Sequence, residues 1–205
     1  MAREVYELAI NFKPFELEKV LQQRLNEGFN PNELLDDLRN ALMFSYNMYK
    51  EGKFALPHLS AMVATFHMGF EVLKKHLREY GGRGTIVMGT LGSIHYIGKD
   101  IIKCFYIGEG YKVIDLGENL LAIDVIQAIQ KYNPDLLALS IFLTNAIGEL
   151  GKIIEYLEKN ELRDRVKVII GGTVANEHIA QKYRVDGWGR DPSSAVKLAN
   201  DLIKR

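Results

Sequence analysis

Between residues 89 and 100 the chain reads GTLGSIHYIGKD, with His95 near its centre, Ser93 two residues ahead of it and glycines at 92 and 98. The stretch follows the β-rich run TIVMG at 85–89 and leads into a helical pattern, so the imidazole falls where a strand gives way to a helix. Loops at that point of a parallel sheet are where such folds keep their ligands. Neutral imidazole is the commonest metal ligand, and its second nitrogen needs an orienting partner, a part that the hydroxyl of Ser93 suits. Against this stands the plainer reading of a lone histidine as structural or merely exposed.

The surrounding residues exclude several other chemistries. Gly89, Gly92 and Gly98 do not make GxGxxG, and no phosphate-binding Gly-Lys-Ser/Thr occurs. GEGYKV at 108–113 precedes a strand instead of following one, so it is no dinucleotide fingerprint. The first strand ends without the acidic cluster that a phosphoryl receiver needs. The remaining strand-end loops are ENLLA (118–122), LTNA (143–146), TVANE (173–177) and RDPSS (190–194). None offers a nucleophile–base pair or two facing carboxylates. This edge reads as a place that holds something large, not one that does acid–base chemistry alone.

Two kinds of element must position that edge. Residues 1 to about 80 read as helices only. One helix, near FELEKVLQQRLNEG, ends at Gly28. A second starts at the Asn30–Pro31 cap signal and carries Leu34, Leu35, Leu38 and Leu42 at helical spacing. A third runs from Pro57 through HLSAMVATFHMGFEVLKKHLREY to the stop GGRG. Short connections make these an antiparallel bundle. From Thr85 the pattern alternates: β-rich runs TIVMG, KVIDLG, LLALSIF, VKVIIGG and a weak DGWG enclose helical stretches over 97–108, 121–132, 146–160, 176–183 and 192–204. Apolar strands alternating with helices predict an α/β fold, a Rossmann- or flavodoxin-like doubly wound parallel sheet of about five strands, following the N-terminal helical bundle. The expected division is a helical domain over 1–81 and the sheet domain over 84–205, with Gly81–Gly84 as the linker.

The bulk composition narrows the partners. The chain has 205 residues, 47% of them hydrophobic, enough to bury a sizeable core. Its 26 basic and 26 acidic side chains balance, which gives no electrostatic case for nucleic acid or a membrane surface. The apolar runs fall short of a membrane span, and MAREVYELAINF lacks the apolar core of a signal peptide, so a cytoplasmic protein is expected. The single cysteine, Cys104, rules out an internal disulfide and any multi-thiolate metal site; inside a helix it reads as a buried structural thiol.

GTLGSIHYIGKDI resembles the cobalamin-binding signature Asp-x-His-x-x-Gly. Further matches follow in order: GYKVIDLGENL, ALSIFLT with its Ser-x-Leu-like element, and KVIIGGTVANE with its glycine pair. In the helical half, MYKEGKFALPHLSAMVATF resembles the cap helices of the corrinoid proteins of methyltransferase systems. The resemblance runs over nearly the whole chain from about Pro31 and implies cobalamin, a cobalt corrinoid, as cofactor. His95 would be the lower axial ligand to cobalt, displacing the cofactor's own benzimidazole, within a cofactor-binding loop shared by Gly92, Ser93, Ile94, Tyr96 and Ile97. Gly98 would let the next helix start close to the corrin or its nucleotide tail. Ser140 would hydrogen-bond the displaced base, with Phe142 shaping the tail pocket and Thr144 nearby. Gly171, Gly172 and Thr173 would lie against the tail, whose far end would pass Trp188 and Gly189. Phe54, Leu56, Met62 and Phe66 would shield the upper face, although at helical spacing such residues also suit a core. His58 and His67 read as less certain contacts, and His76 and His178 as surface residues.

The signature's Asp is Ser93 here, and counted from Gly89 the loop is one residue shorter. A serine fixes a tautomer without adding charge, so a weaker histidine–cobalt bond is expected. The implied function is a methyl carrier between a substrate-specific methyltransferase and an acceptor methyltransferase, served by a reductive activator and without turnover of its own. A cobalamin-responsive binding or regulatory module with the same fold stands beside it. No motif names the methyl donor, the acceptor or an oligomeric state.

Overall fold

The computed structural model of the protein describes residues 3–77 and 80–204, and the chain divides into two compact units, Met1–Tyr80 and Gly81–Arg205. The first unit holds α1 (Glu4–Ile10), α2 (Pro14–Asn26), α3 (Pro31–Lys50) and α4 (Leu56–Leu73). Asn30 caps α3, its side chain accepting the N–H of Asn32, with Pro31 at the first helical position. α1 packs on α3, and α2 and α3 both pack on α4, burying Leu17, Leu21, Leu38, Leu42, Met62 and Phe66. Two boundaries differ from the sequence reading. α1 is an additional helix, too short to show a period, with only Val5 and Ala9 buried. α4 ends at Leu73, because Lys74, Lys75 and His76 form exposed turns after the last core-facing leucine of the helix. Arg78 and Glu79, expected within that helix, lie outside the described residues.

The second unit is an α/β layer structure. Its strands are β1 (Thr85–Leu91), β2 (Lys112–Asp115), β3 (Leu136–Ile141), β4 (Lys167–Gly171) and β5 (Gly187–Trp188), and its helices are α5 (Ile97–Gly108), α6 (Ala122–Tyr132), α7 (Ile147–Lys159), α8 (Glu177–Lys182) and α9 (Pro192–Leu202). All strand pairs are parallel, in the order β2-β1-β3-β4-β5. The two-residue period of the strands sorts the core into two layers. Val87, Leu91, Leu137, Leu139, Ile141, Val168 and Ile170 pack with α6, α7 and α8. Ile86, Met88, Leu136, Ala138 and Ile169 pack on the other side with Tyr106 of α5 and Ala195 and Ala199 of α9. The sheet is therefore doubly wound, and the order of strand addition reverses between β1 and β3, the switch point at which open sheets bind ligands.

β1 runs two residues beyond the expected TIVMG, because it is an inner strand: Thr90 and Leu91 pair with Ser140 and Ile141 of β3. Leu91 also bridges Leu120, while the N–H of Gly92 donates to the Leu120 carbonyl and that of Asn119 to the Ser93 carbonyl. The loops after β1 and β2 are thus sewn together before either reaches its helix. Among the described residues no helix is long and apolar enough to cross a membrane.

Candidate functional site

The switch point gathers most of the residues singled out in the sequence. Three small positions share one register row: Thr90 pairs with Ser140, and Ser140 with Gly171. By strand alternation the row lies on the α5/α9 side of the sheet. Gly189 continues the edge, its N–H donating to the Ile170 carbonyl, and a Cβ there would stand 2.9 Å from Ala195 Cβ. Gly172 has φ +96°, and a Cβ on it would meet the Ile141 carbonyl oxygen at 2.5 Å, so only glycine fits that turn. Gly98 differs: nothing lies within 4 Å of where its Cβ would be, leaving the start of α5 open.

His95 sits above this row on an exposed loop. Its Nδ1 is 2.6 Å from Ser93 Oγ, its N–H donates to the same oxygen at 3.3 Å, and its carbonyl accepts from Thr90 Oγ1 at 3.2 Å. Ser93 is only 5% exposed, so the anchor is buried while the imidazole is not. The ring lies flat on Phe142, with centroids 3.5 Å apart and planes 9° from parallel. Nε2 has no protein partner among the described residues. In the tautomer that donates Nδ1–H to Ser93, Nε2 would present its lone pair, as a metal ligand must. Ile94 and Tyr96 on either side are 75% and 52% exposed, apolar surface left in water at the loop tip.

Two charged residues that the sequence reading passed over brace this loop. Lys99, 3% exposed, places Nζ 2.7 and 2.8 Å from the two carboxylate oxygens of Asp115, 2.7 Å from Asp100 and 3.4 Å from Glu118. Asp115 also accepts from Lys103 at 3.1 Å and from the Gly117 amide at 3.0 Å. Burial pushes the Asp115 carboxyl up, but the Lys99 ammonium and the Gly117 amide outweigh it, leaving it below the ordinary range. Burial likewise pulls the Lys99 ammonium down, and its bonds to Asp100 and Asp115 raise it overall. The available signal is the lysine directly after Gly98, to which the sequence pattern gives no role. Thr90, a hydroxyl at a strand end, was missed in the same way.

The other expected contacts fall in several places. Phe142 was expected to shape only a tail pocket, and the structure sets it against His95. Thr144 and Thr173 are exposed, and Ile97 opens α5 half-buried. Trp188 lies under the Arg190 guanidinium at 4.9 Å and lines an open groove of about 580 Å3 with Gln181 and Arg184. In the helical unit, Met62 and Phe66 are fully buried, Leu56 is exposed, and Phe54 is half-buried. Phe54 stacks on His58 at 4.8 Å, and His58 Nδ1 accepts the Ala55 N–H, closing the start of α4. His76 and His178 are exposed, and Cys104 is buried, which raises its thiol well above the usual range.

Among the described residues no three His, Cys, Asp or Glu side chains come together to hold a metal ion. The B12 binding domain family matches residues 83–197. A corrinoid protein of Desulfitobacterium hafniense is 33% identical over 181 residues, 83% of this chain and 84% of that one. Trimethylamine corrinoid protein 1 of Methanosarcina acetivorans is 30% identical over 191 residues, 90% of this chain and 88% of that one. Among solved structures, the methanol:cobalamin methyltransferase complex of Methanosarcina barkeri superposes with a TM-score of 0.79 at 25% identity, over 97% of this chain and 78% of that one. A cobalamin-binding protein of Desulfitobacterium hafniense shares the fold, with a TM-score of 0.75 at 22% identity over 100% of this chain and 99% of that one. Fold and site together define a corrinoid-binding α/β protein. The chain belongs to the B12-binding domain family, within the corrinoid proteins of methyltransferase systems, and its cofactor is cobalamin.

Proposed function

We propose that the protein is a methyl carrier whose His95 is the lower axial ligand to cobalt, working between a methyltransferase that loads it from a methylated substrate and a second that unloads it onto a thiol or tetrahydropterin. The observation that carries this reading is the state of His95, held at Nδ1 by Ser93 and unpartnered at Nε2. When bound, the corrinoid would supply the chemistry, a cobalt centre able to take up a methyl group as the donor's leaving group departs and to release it to the acceptor, cycling between Co(I) and Co(III). The chain's own residues bind, orient and shield. Ser140 would donate to the displaced base, and Gly98, Gly171 and Gly172 would leave room for the nucleotide tail, with Thr144, Thr173, Trp188 and Gly189 along its course. Ile94, Tyr96 and Ile97 would lie under the corrin.

In the helical domain, Phe54 and Leu56 would exclude water from the upper face, whereas Met62, expected beside them, is fully buried among the helices and belongs to their core. Opening that face for each transfer requires the helical domain to move. Both ends of Gly81–Gly84 are tied into the sheet domain, since the Gly81 N–H donates to the Gly110 carbonyl and the Gly84 carbonyl accepts from the Lys112 N–H. Gly81 and Gly84 therefore belong with the sheet domain. Relatives named for trimethylamine and methanol systems support a small methylated substrate held on the partner, and a reductive activator would restore oxidised cobalt.

The test is the visible spectrum of protein incubated with hydroxocobalamin and desalted, beside His95→Ala. Colour retained by both, with a shifted spectrum only in the unmodified chain, is the expected result. Identical spectra remove His95 from the cobalt, and loss of colour from both removes the reading. Methylation of the reduced, loaded protein by a methyltransferase and methylamine or methanol would separate a carrier from a sensor.

A further inference from the structure

We infer that Phe142 is a positioning residue for His95, fixing the plane of the imidazole as Ser93 fixes its edge; this rests on the axial-ligand reading above. The two residues leave neighbouring strand ends, since Leu91 and Ile141 are the last register pair of β1 and β3. Their rings lie face to face at 3.5 Å and 9°. His95 is exposed and Phe142 only half-buried, so core packing does not force them together. An imidazole turns about two side-chain bonds. The contact from Nδ1 to Ser93 selects which edge faces the protein, and the phenyl face stops the ring from swinging about that contact. Together they leave one direction for Nε2. A carboxylate would hold the ring by charge; here a neutral hydroxyl and an aromatic face divide the task. Holding the ring in advance favours ligation, because less freedom is lost when the bond forms.

The stack is expected to shift the balance between ligated and unligated histidine by about two- to twelvefold, the range for an aromatic pair. The experiment uses the full chain, 15N-labelled, as the unmodified protein, Phe142→Ala, Phe142→Tyr and His95→Ala. Without cofactor, the His95 ring protons should be shifted upfield by the phenyl ring current in the unmodified chain and in Phe142→Tyr, and not in Phe142→Ala. After loading with cob(II)alamin, electron paramagnetic resonance should show the doublet of a protein 15N on cobalt, in place of the triplet from the cofactor's own 14N base. The ligated fraction should fall in Phe142→Ala and return in Phe142→Tyr. Loss of the ring-current shift with an unchanged ligated fraction would make Phe142 a packing contact and overturn the inference. An unmodified chain that matches His95→Ala would instead overturn the axial-ligand reading, and the two failures are distinguishable by that comparison.

Discussion

Ser93 Oγ lies 2.6 Å from Nδ1 of His95, in the place where the Asp-x-His-x-x-Gly pattern has a carboxylate. The substitution keeps the hydrogen bond and removes the charge. A carboxylate partner stabilises the imidazole's developing positive character when Nε2 gives its lone pair to a metal, and a hydroxyl does so only weakly. The His95 amide also donates to this oxygen, so Ser93 sets both the loop and the ring.

Removing that oxygen should therefore cost ligation more than stability. Ser93→Ala is expected to lower the fraction of cobalamin held through His95 about tenfold, the lower end of the range for partners of metal-ligating histidines. Its urea midpoint should stay close to that of the unmodified chain. Ser93→Asp should raise the ligated fraction above the unmodified level. Spectra titrated with hydroxocobalamin read both, and an unchanged fraction in Ser93→Ala would show that the hydroxyl contributes nothing to the bond.

Lys99 and Asp115 tie the start of α5 to the end of β2, one on each side of the histidine loop. Lys99→Met leaves Asp115, Asp100 and Glu118 without their shared ammonium. Removing one partner of a buried pair costs about 3–5 kcal/mol. The carboxylates retain some exposure and Asp115 keeps Lys103, which favours the lower end, about 3 kcal/mol. Denaturant unfolding measures it. A change under about 1 kcal/mol would show that the cluster behaves as an exposed ion pair.

The same cluster makes stability depend on pH in a defined direction. Asp115 is depressed in the folded chain, so its contribution is present above its unfolded value, about 3.9, and is lost as pH falls through the lower folded value. Lys99 is raised, so its contribution is full below its unfolded value, about 10.4, and is lost as pH rises through the higher folded value. Urea midpoints should fall below about pH 4 in the unmodified chain, and Asp115→Asn should flatten that acid limb. Equal acid limbs in the two proteins would place the acid sensitivity on other carboxylates.

Much of this architecture is legible in the sequence because its signals are local. The apolar runs mark β2, β3 and β4 within a residue or two, and the expected helix ranges overshoot mainly by their caps, as at Leu121, Ala146 and Asn176. The Ser93–His95 contact is legible for the same reason, two residues apart on one loop. What stayed hidden depends on strand order. Phe142 reaches His95 only because β3 lies beside β1, and Lys99 reaches Asp115 only because β2 flanks the other side. A pattern of strands and helices does not state which strands are neighbours, so Phe142 reads as pocket lining and Lys99 goes without a role.

Two glycines separate the demands of the backbone from those of the ligand. Gly172→Ala sets a Cβ against the Ile141 backbone at φ +96° and should destabilise the chain by at least about 2 kcal/mol, whatever it binds. Gly98 lies in the first turn of α5 with open space around it. Gly98→Ala should therefore fold as well as the unmodified chain, or better by up to about 1 kcal/mol through helix propensity. Gly98→Leu should fold equally well, yet retain less hydroxocobalamin after desalting if the corrin or its tail fills that space. Full retention in Gly98→Leu, with stability intact, would move the cofactor away from the start of α5 and leave Gly98 without a binding role.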